Sequence, residues 1–202
     1  MDSIEKQIER KIKSSKRGKI FFPDDFATFG TSEAIRQSLG RIQKSGLLMR
    51  VSHGIYYYPK MNTFKYLEDK HLPPTYEEIA YCIAKRDKTR IAPTGAYALN
   101  TLGLSTQVPM NAVFFTNGAP RRINIGKGKG ILFKHTSEAR RLAYKSKMLM
   151  LIVSALREIG EGNVTPQQLE IIKSHFAHVS QKELEEDIQL MPLWVRKILL
   201  SL

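Results

Sequence analysis

The chain has 202 residues, 42% of them apolar, enough to build a core in one or two domains. Its net charge of +13 and pI near 9.8 point to polyanionic partners, nucleic acid first and an anionic membrane second. A single cysteine, Cys82, excludes an intramolecular disulfide, and the longest apolar run, Met148–Val153, is far too short to span a bilayer.

In chain order, Ile4, Ile8 and Ile12 recur every fourth residue among charges and predict an amphipathic helix ended by Ser14, Ser15 and Gly18. The charges in this opening stretch stand where a signal peptide needs apolar residues, so a soluble, cytoplasmic protein is expected. Residues 19–22 predict a short extended segment able to pair as a third strand. Pro23, Asp24 and Asp25 open a brief helix through Phe26. After Gly30, Thr31 or Ser32 caps a third helix to about Ser45, closed by Gly46. Residues 47–51 and 55–58 predict two strands joined by a tight turn at Ser52, His53 and Gly54. Of the three tyrosines 56–58, Tyr57 is the one expected to point outward. Helix, helix, helix and hairpin in that order are the pattern of a winged helix-turn-helix.

This front part is assigned to residues 1–62 and a linker to residues 63–74, stiffened by Pro73 and Pro74. Residues 75–202 are expected to form a mainly helical domain with a small antiparallel sheet. Thr75 caps a helix to about Lys88, and Pro93 opens another through Leu102. Strands are predicted at 112–116, 121–125 and 131–134, and helices at 138–158, 166–177, 181–189 and 192–200. The expected fold class is α+β. Cys82, among Ile79, Ala80 and Ile83, is expected to be a small core residue.

A DNA-reading helix needs one apolar face to hold it on its domain and one polar face for the groove. Ile35, Leu39 and Ile42 supply the first. Ser32, Glu33, Arg36, Gln37, Arg41 and Lys44 supply the second. Arg36 and Gln37 lie in the first two turns and suit guanine and adenine edges. Arg41 and Lys44 suit phosphates, as does Ser32 at the helix N-terminus. On the hairpin, Arg50 is placed for flanking backbone or minor groove, and His53 is assigned chiefly to the turn.

The charge has two centres. Residues 1–62 carry 12 basic and 6 acidic residues, net +6, and residues 119–148 carry 9 basic and 1 acidic, net +8. The segments 63–118 and 149–202 come to +1 and −2. The second centre comprises Arg121, Arg122, Lys127, Lys129, Lys134, Arg140, Arg141, Lys145 and Lys147. A solvated basic face and a second contact to DNA or RNA both fit it. The GKGKG segment at 126–130 lacks the spacing and the following helix of a phosphate loop, and is assigned to a hairpin turn.

No residues combine into an active site. His175 and His178 share a helix face but have no third ligand at metal spacing. The acids Glu183, Glu185, Glu186 and Asp187 read as a solvated helix face. Neither paired catalytic carboxylates nor an activated nucleophile is evident, so no catalysis, cofactor or metal is expected.

The stretches SGLLMRVSHGIYYYP, RIAPTGAYALNTLGL and VFFTNGAPRRINIGKGKGILFKH together resemble the AbiEi-type antitoxins of type IV toxin–antitoxin systems. The resemblance covers residues 4 to 134 and weakens beyond. It implies a bacterial transcriptional autoregulator whose winged helix binds inverted repeats in its own promoter. By position, Ser32, Arg36, Gln37, Arg41 and Lys44 would contact DNA. It also implies a C-terminal domain that helps to neutralise a nucleotidyltransferase-type toxin. The alternative is a winged-helix interaction module whose basic C-terminal patch binds a protein or RNA.

Overall fold

A computed structural model describes residues 2–61, 71–126 and 128–202. Two units emerge, Met1–Cys82 and Ile83–Leu202. The expected linker residues 63–70 lie outside the described residues.

In the first unit, α1 (Ile4–Lys13) is capped by the Ser3 hydroxyl and buries Ile8 and Ile12. Strand β1 (Ile20–Phe21) follows, then a 3-10 turn over Pro23–Phe29 that buries Phe26. The Asp25 carboxylate accepts from the Phe22 N–H at 2.7 Å, which sets the start of that turn. Helix α2 (Ser32–Lys44) is capped by Thr31, whose hydroxyl accepts from the Ala34 N–H at 3.3 Å. Strands β2 (Met49–Ser52) and β3 (Ile55–Tyr57) form a hairpin, and Gly54 at its turn has φ +68°, a conformation that favours glycine.

Strand β1 pairs with the far edge of β3, giving an antiparallel sheet in the order β1-β3-β2. The core joins Ile8, Ile12, Phe21, Phe26, Ile35, Leu39, Ile42 and Leu48 with Tyr56 and Tyr58. Tyr57, expected to face outward, is buried as well. Being on the central strand, it is flanked by both Ile20 and Met49. Two short strands, β4 (Lys60–Met61) and β5 (His71–Leu72), pair with one another.

Helix α3 (Tyr76–Arg86) begins at a reciprocal cap: Thr75 Oγ1 accepts from the Glu78 N–H, and the Glu78 carboxylate accepts from the Thr75 N–H. The division between units falls within α3, where Cys82 is half-buried. Its last turn belongs to the second unit. There β6 (Ile91–Pro93), α4 (Gly95–Thr101), β7 (Asn111–Thr116), β8 (Arg121–Gly126) and β9 (Lys129–His135) follow. The sheet order is β6-β7-β9-β8. Its outer pairings are antiparallel, as expected of this sheet, and the central β7–β9 pair is parallel. The Asn117–Gly118 turn does not make a hairpin: Asn117 closes onto Arg90 instead, and β8 passes beyond β7 so that β9 returns between them. Pro93 ends edge strand β6 rather than opening a helix, a place where its missing N–H costs no ladder bond.

The helix expected at 138–158 is split. A 3-10 turn covers Ala139–Leu142, and α5 (Lys147–Ile159) starts afresh at a Ser146 cap. Helices α6 (Pro166–Phe176), α7 (Gln181–Asp187) and α8 (Leu193–Leu200) complete the chain. Helices α4 to α8 share an apolar core around Leu149, Ile152, Ala155, Leu156, Ile172 and Val195. Asp187, expected on a solvated face, is buried. Its carboxylate accepts from the Lys145 N–H at 3.0 Å and the Ser146 N–H at 2.8 Å, satisfying donors at the start of α5. The protein is thus α+β, and no described helix is long and apolar enough to cross a membrane.

Candidate nucleic-acid interface

Helix α2 divides sharply into two faces. Ile35, Leu39 and Ile42 are all but inaccessible to solvent, each worth about 1.5–3 kcal/mol of burial. Ser32, Glu33, Arg36, Gln37, Arg41 and Lys44 are exposed on the other side. This follows from the 3.6-residue period: positions 35, 39 and 42 form one stripe.

The exposed cations are not equivalent. Arg36 and Lys44 have no hydrogen bond or ion pair among the described residues. Gln37 Nε2 donates to Glu33 Oε1 at 3.1 Å, one helical turn back. Arg41 Nε donates to Glu5 Oε2 on α1 at 2.6 Å, and a second guanidinium nitrogen donates to Ser38 Oγ at 3.3 Å. Arg41, expected at a phosphate, therefore ties α2 to α1. On the hairpin, Arg50 Nε donates to the Ser52 carbonyl at 3.1 Å, and the guanidinium lies 3.1 Å from His53 Nδ1. Both side chains are exposed and braced against the turn.

The second basic centre is also divided. Arg122 donates to Asn124 Oδ1 and to the Gly128 carbonyl, both at 2.9 Å, which fastens the β8–β9 turn. A Cβ on Gly130 would come within 2.4 Å of the Ile123 carbonyl oxygen, so the strands meet too closely for a side chain there. Arg141 pairs with Glu138 and lies over the Phe115 ring at 4.9 Å. Arg157 binds the other Glu138 oxygen at 2.7 Å. Burial pushes the Glu138 carboxyl up, and the hydrogen bonds from Arg141 and Arg157 more than offset it, leaving it below the usual carboxylate range. Lys129, Lys134 and Arg140 are exposed and unpaired among the described residues. Lys127 lies outside the described residues.

One charged cluster escaped the sequence reading. Asp87, just past α3, accepts from Arg86 Nε at 2.8 Å and from Arg121 on β8. Its signal was the run of residues 85–90, Lys-Arg-Asp-Lys-Thr-Arg, four cations around one acid. Arg121 also stacks on Phe133, 5.6 Å from the ring centre. His175 Nε2 donates to the Leu102 carbonyl at 3.1 Å, an ordinary helix-to-turn tie. Among the described residues, no three His, Cys, Asp or Glu side chains gather where they could hold a metal ion.

Fold and charge together define a basic α+β protein with a cationic helix face in one unit and cationic strand and turn residues in the other. The chain belongs to the family of unknown function DUF6088, whose model matches residues 7–188. A solved structure similar to it is the crystal structure of the RV2827C protein from Mycobacterium tuberculosis. That alignment covers 98% of this chain and 76% of the other at 11% identity, with a TM-score of 0.44. No curated protein matches the chain.

Proposed function

We propose that the protein is a sequence-specific DNA-binding regulator whose first unit acts as a winged helix-turn-helix. The observation that carries this is the exposed face of α2, where Arg36 stands unpaired beside Gln37 while the opposite face is locked into the core. A cation free of protein partners can meet a base edge without first breaking an ion pair. Lys44 serves phosphate one end of the helix away, and Ser32 serves it at the other. Arg50 and His53 offer a second contact from the hairpin tip. The net +6 of residues 1–62 supports a polyanion rather than a neutral partner.

The biological assignment follows the resemblance to AbiEi-type antitoxins. The regulator binds inverted repeats upstream of its own operon, acts in the cytoplasm, and counteracts a nucleotidyltransferase-type toxin encoded beside it. It performs no catalysis and needs no cofactor. Titration of the upstream duplex by fluorescence anisotropy tests the first part. Affinity should fall steeply as salt rises, and absence of duplex binding at low salt overturns the reading. Co-expression with the neighbouring gene product tests the second, growth rescue being the expected result.

A second reading rests on Lys129, Lys134 and Arg140 of the second unit, exposed and unpaired among the described residues. In that reading the function lies in residues 119–148, which dock on a protein or RNA. Deleting residues 1–62 separates the two: retained RNA binding favours the second.

A further inference from the structure

At the end of α3 a charge imbalance coincides with a cavity. One carboxylate, Asp87, pairs with two guanidiniums, Arg86 and Arg121. Lys85, Lys88 and Arg90 add exposed cations at its edge. Arg121 Nε is buried without an acceptor among the described residues. Buried donors are rarely left so. Burial first, and then the Arg86 charge, lower the Arg121 pKa from its ordinary value. Arg121 is thus held in a place that disfavours its charge, and one carboxylate shared with Arg86 is its only anionic partner among the described residues.

Arg121 and Asp87 line a cavity of about 210 Å³ with Thr89, Thr116, Ile83 and Phe133. Thr116 is buried, and its Oγ1 accepts from the Gly118 N–H at 3.0 Å. That leaves its own hydroxyl hydrogen available to an acceptor in the cavity. Ile83, Ala84 and Phe133 supply the apolar part of its wall.

We propose that this cavity binds a small oxyanion, phosphate or the phosphate of a monoester, through Arg121 Nε, the Arg121 fork and the Thr116 hydroxyl. The guanidinium fork matches a phosphate's paired oxygens, and the exposed cations Lys85, Lys88 and Arg90 nearby favour an anion over a neutral amide. Asp87 orients Arg121 and is itself neutralised by Arg86. The site lies wholly in the second unit and stands independently of DNA binding by the first.

Calorimetric titration of the full chain with sodium phosphate, against sodium chloride at matched ionic strength, tests the proposal. Binding specific to phosphate is expected, with Arg121→Gln weakening it about tenfold or more. Asp87→Asn should bind phosphate at least as tightly as the wild type, whereas a purely structural Arg–Asp–Arg bridge predicts no phosphate binding in any variant. Thr116→Val, nearly isosteric, should weaken binding severalfold and covers the case in which Arg121→Gln fails to fold. Titration with adenosine 5′-monophosphate distinguishes the source: tighter binding than orthophosphate assigns a nucleotide, weaker binding assigns the free ion, and both uphold the site. Equal response to phosphate and chloride, or unchanged affinity in Arg121→Gln or Thr116→Val, overturns it.

Discussion

Arg41 Nε sits 2.6 Å from Glu5 Oε2, joining the exposed flank of α2 to α1. Both side chains are partly solvated, so the pair is worth only about 0.2–1 kcal/mol. In the DNA-binding function proposed above, its greater effect would be on which cations are free to meet the duplex. Glu5→Gln should release Arg41 and raise duplex affinity severalfold, while lowering stability by less than about 1 kcal/mol. Anisotropy and urea unfolding of the same variant measure both.

Gly40 lies mid-helix in α2, and a Cβ built there meets nothing within 4 Å. Glycine in a helix interior costs about 0.5–1 kcal/mol relative to alanine. Gly40→Ala should therefore stabilise the protein by about that amount with duplex affinity unchanged or improved. A chemical denaturation midpoint shifted upward at constant slope is the expected signature.

The buried Asp187 carboxylate receives backbone donors from Lys145 and Ser146. Asp187→Ala orphans them and should cost about 2–3 kcal/mol. Asp187→Asn keeps one acceptor and should cost less. Thermal unfolding monitored by circular dichroism ranks the two.

Glu138 is held below the usual carboxylate range once Arg141 and Arg157 have offset its burial. The folded state therefore binds that proton less readily than the unfolded chain. The stabilisation is present above the ordinary glutamate pKa and is lost as pH falls through the lowered one. Glu138→Gln should be less stable than the wild type at neutral pH, and its stability should fall less on acidification. Parallel stability curves over the acid range contradict this.

Local patterns carried much of the fold into the sequence. The four-residue repeat of Ile4, Ile8 and Ile12 and the apolar stripe of α2 gave both helices, because each buries one face on its own neighbours. The turn at His53 and Gly54 gave the hairpin for the same local reason. Of the long-range features, the pairing of residues 20–21 as a third strand was legible and the others were not. The β7–β9 parallel pairing joins strands that are not consecutive, and no turn motif signals it. Strand β6 is three residues long, too short for alternation to register. Tyr57 looked outward because alternation describes a half-buried strand, whereas all three residues of β3 are buried. Asp187 sat in an acidic run whose members differ only in tertiary surroundings: Glu185 and Glu186 are exposed and Asp187 is buried.

The candidate site followed the same division. Which residues of α2 face outward was readable from periodicity, including Arg36, Gln37 and Lys44. Which of its cations are already committed was not, because the Arg41 partner lies 36 residues away on α1. The Arg121 partner, Asp87, lies 34 residues away by the same logic.

The most direct test of base reading by α2 compares Arg36→Ala and Lys44→Ala on two duplexes, the upstream operator and a scrambled sequence of equal length. Arg36→Ala should lose about 1–3 kcal/mol on the operator and little on the scrambled duplex, while Lys44→Ala weakens both alike. Equal losses on both duplexes for Arg36→Ala, or no loss on either, would contradict the account.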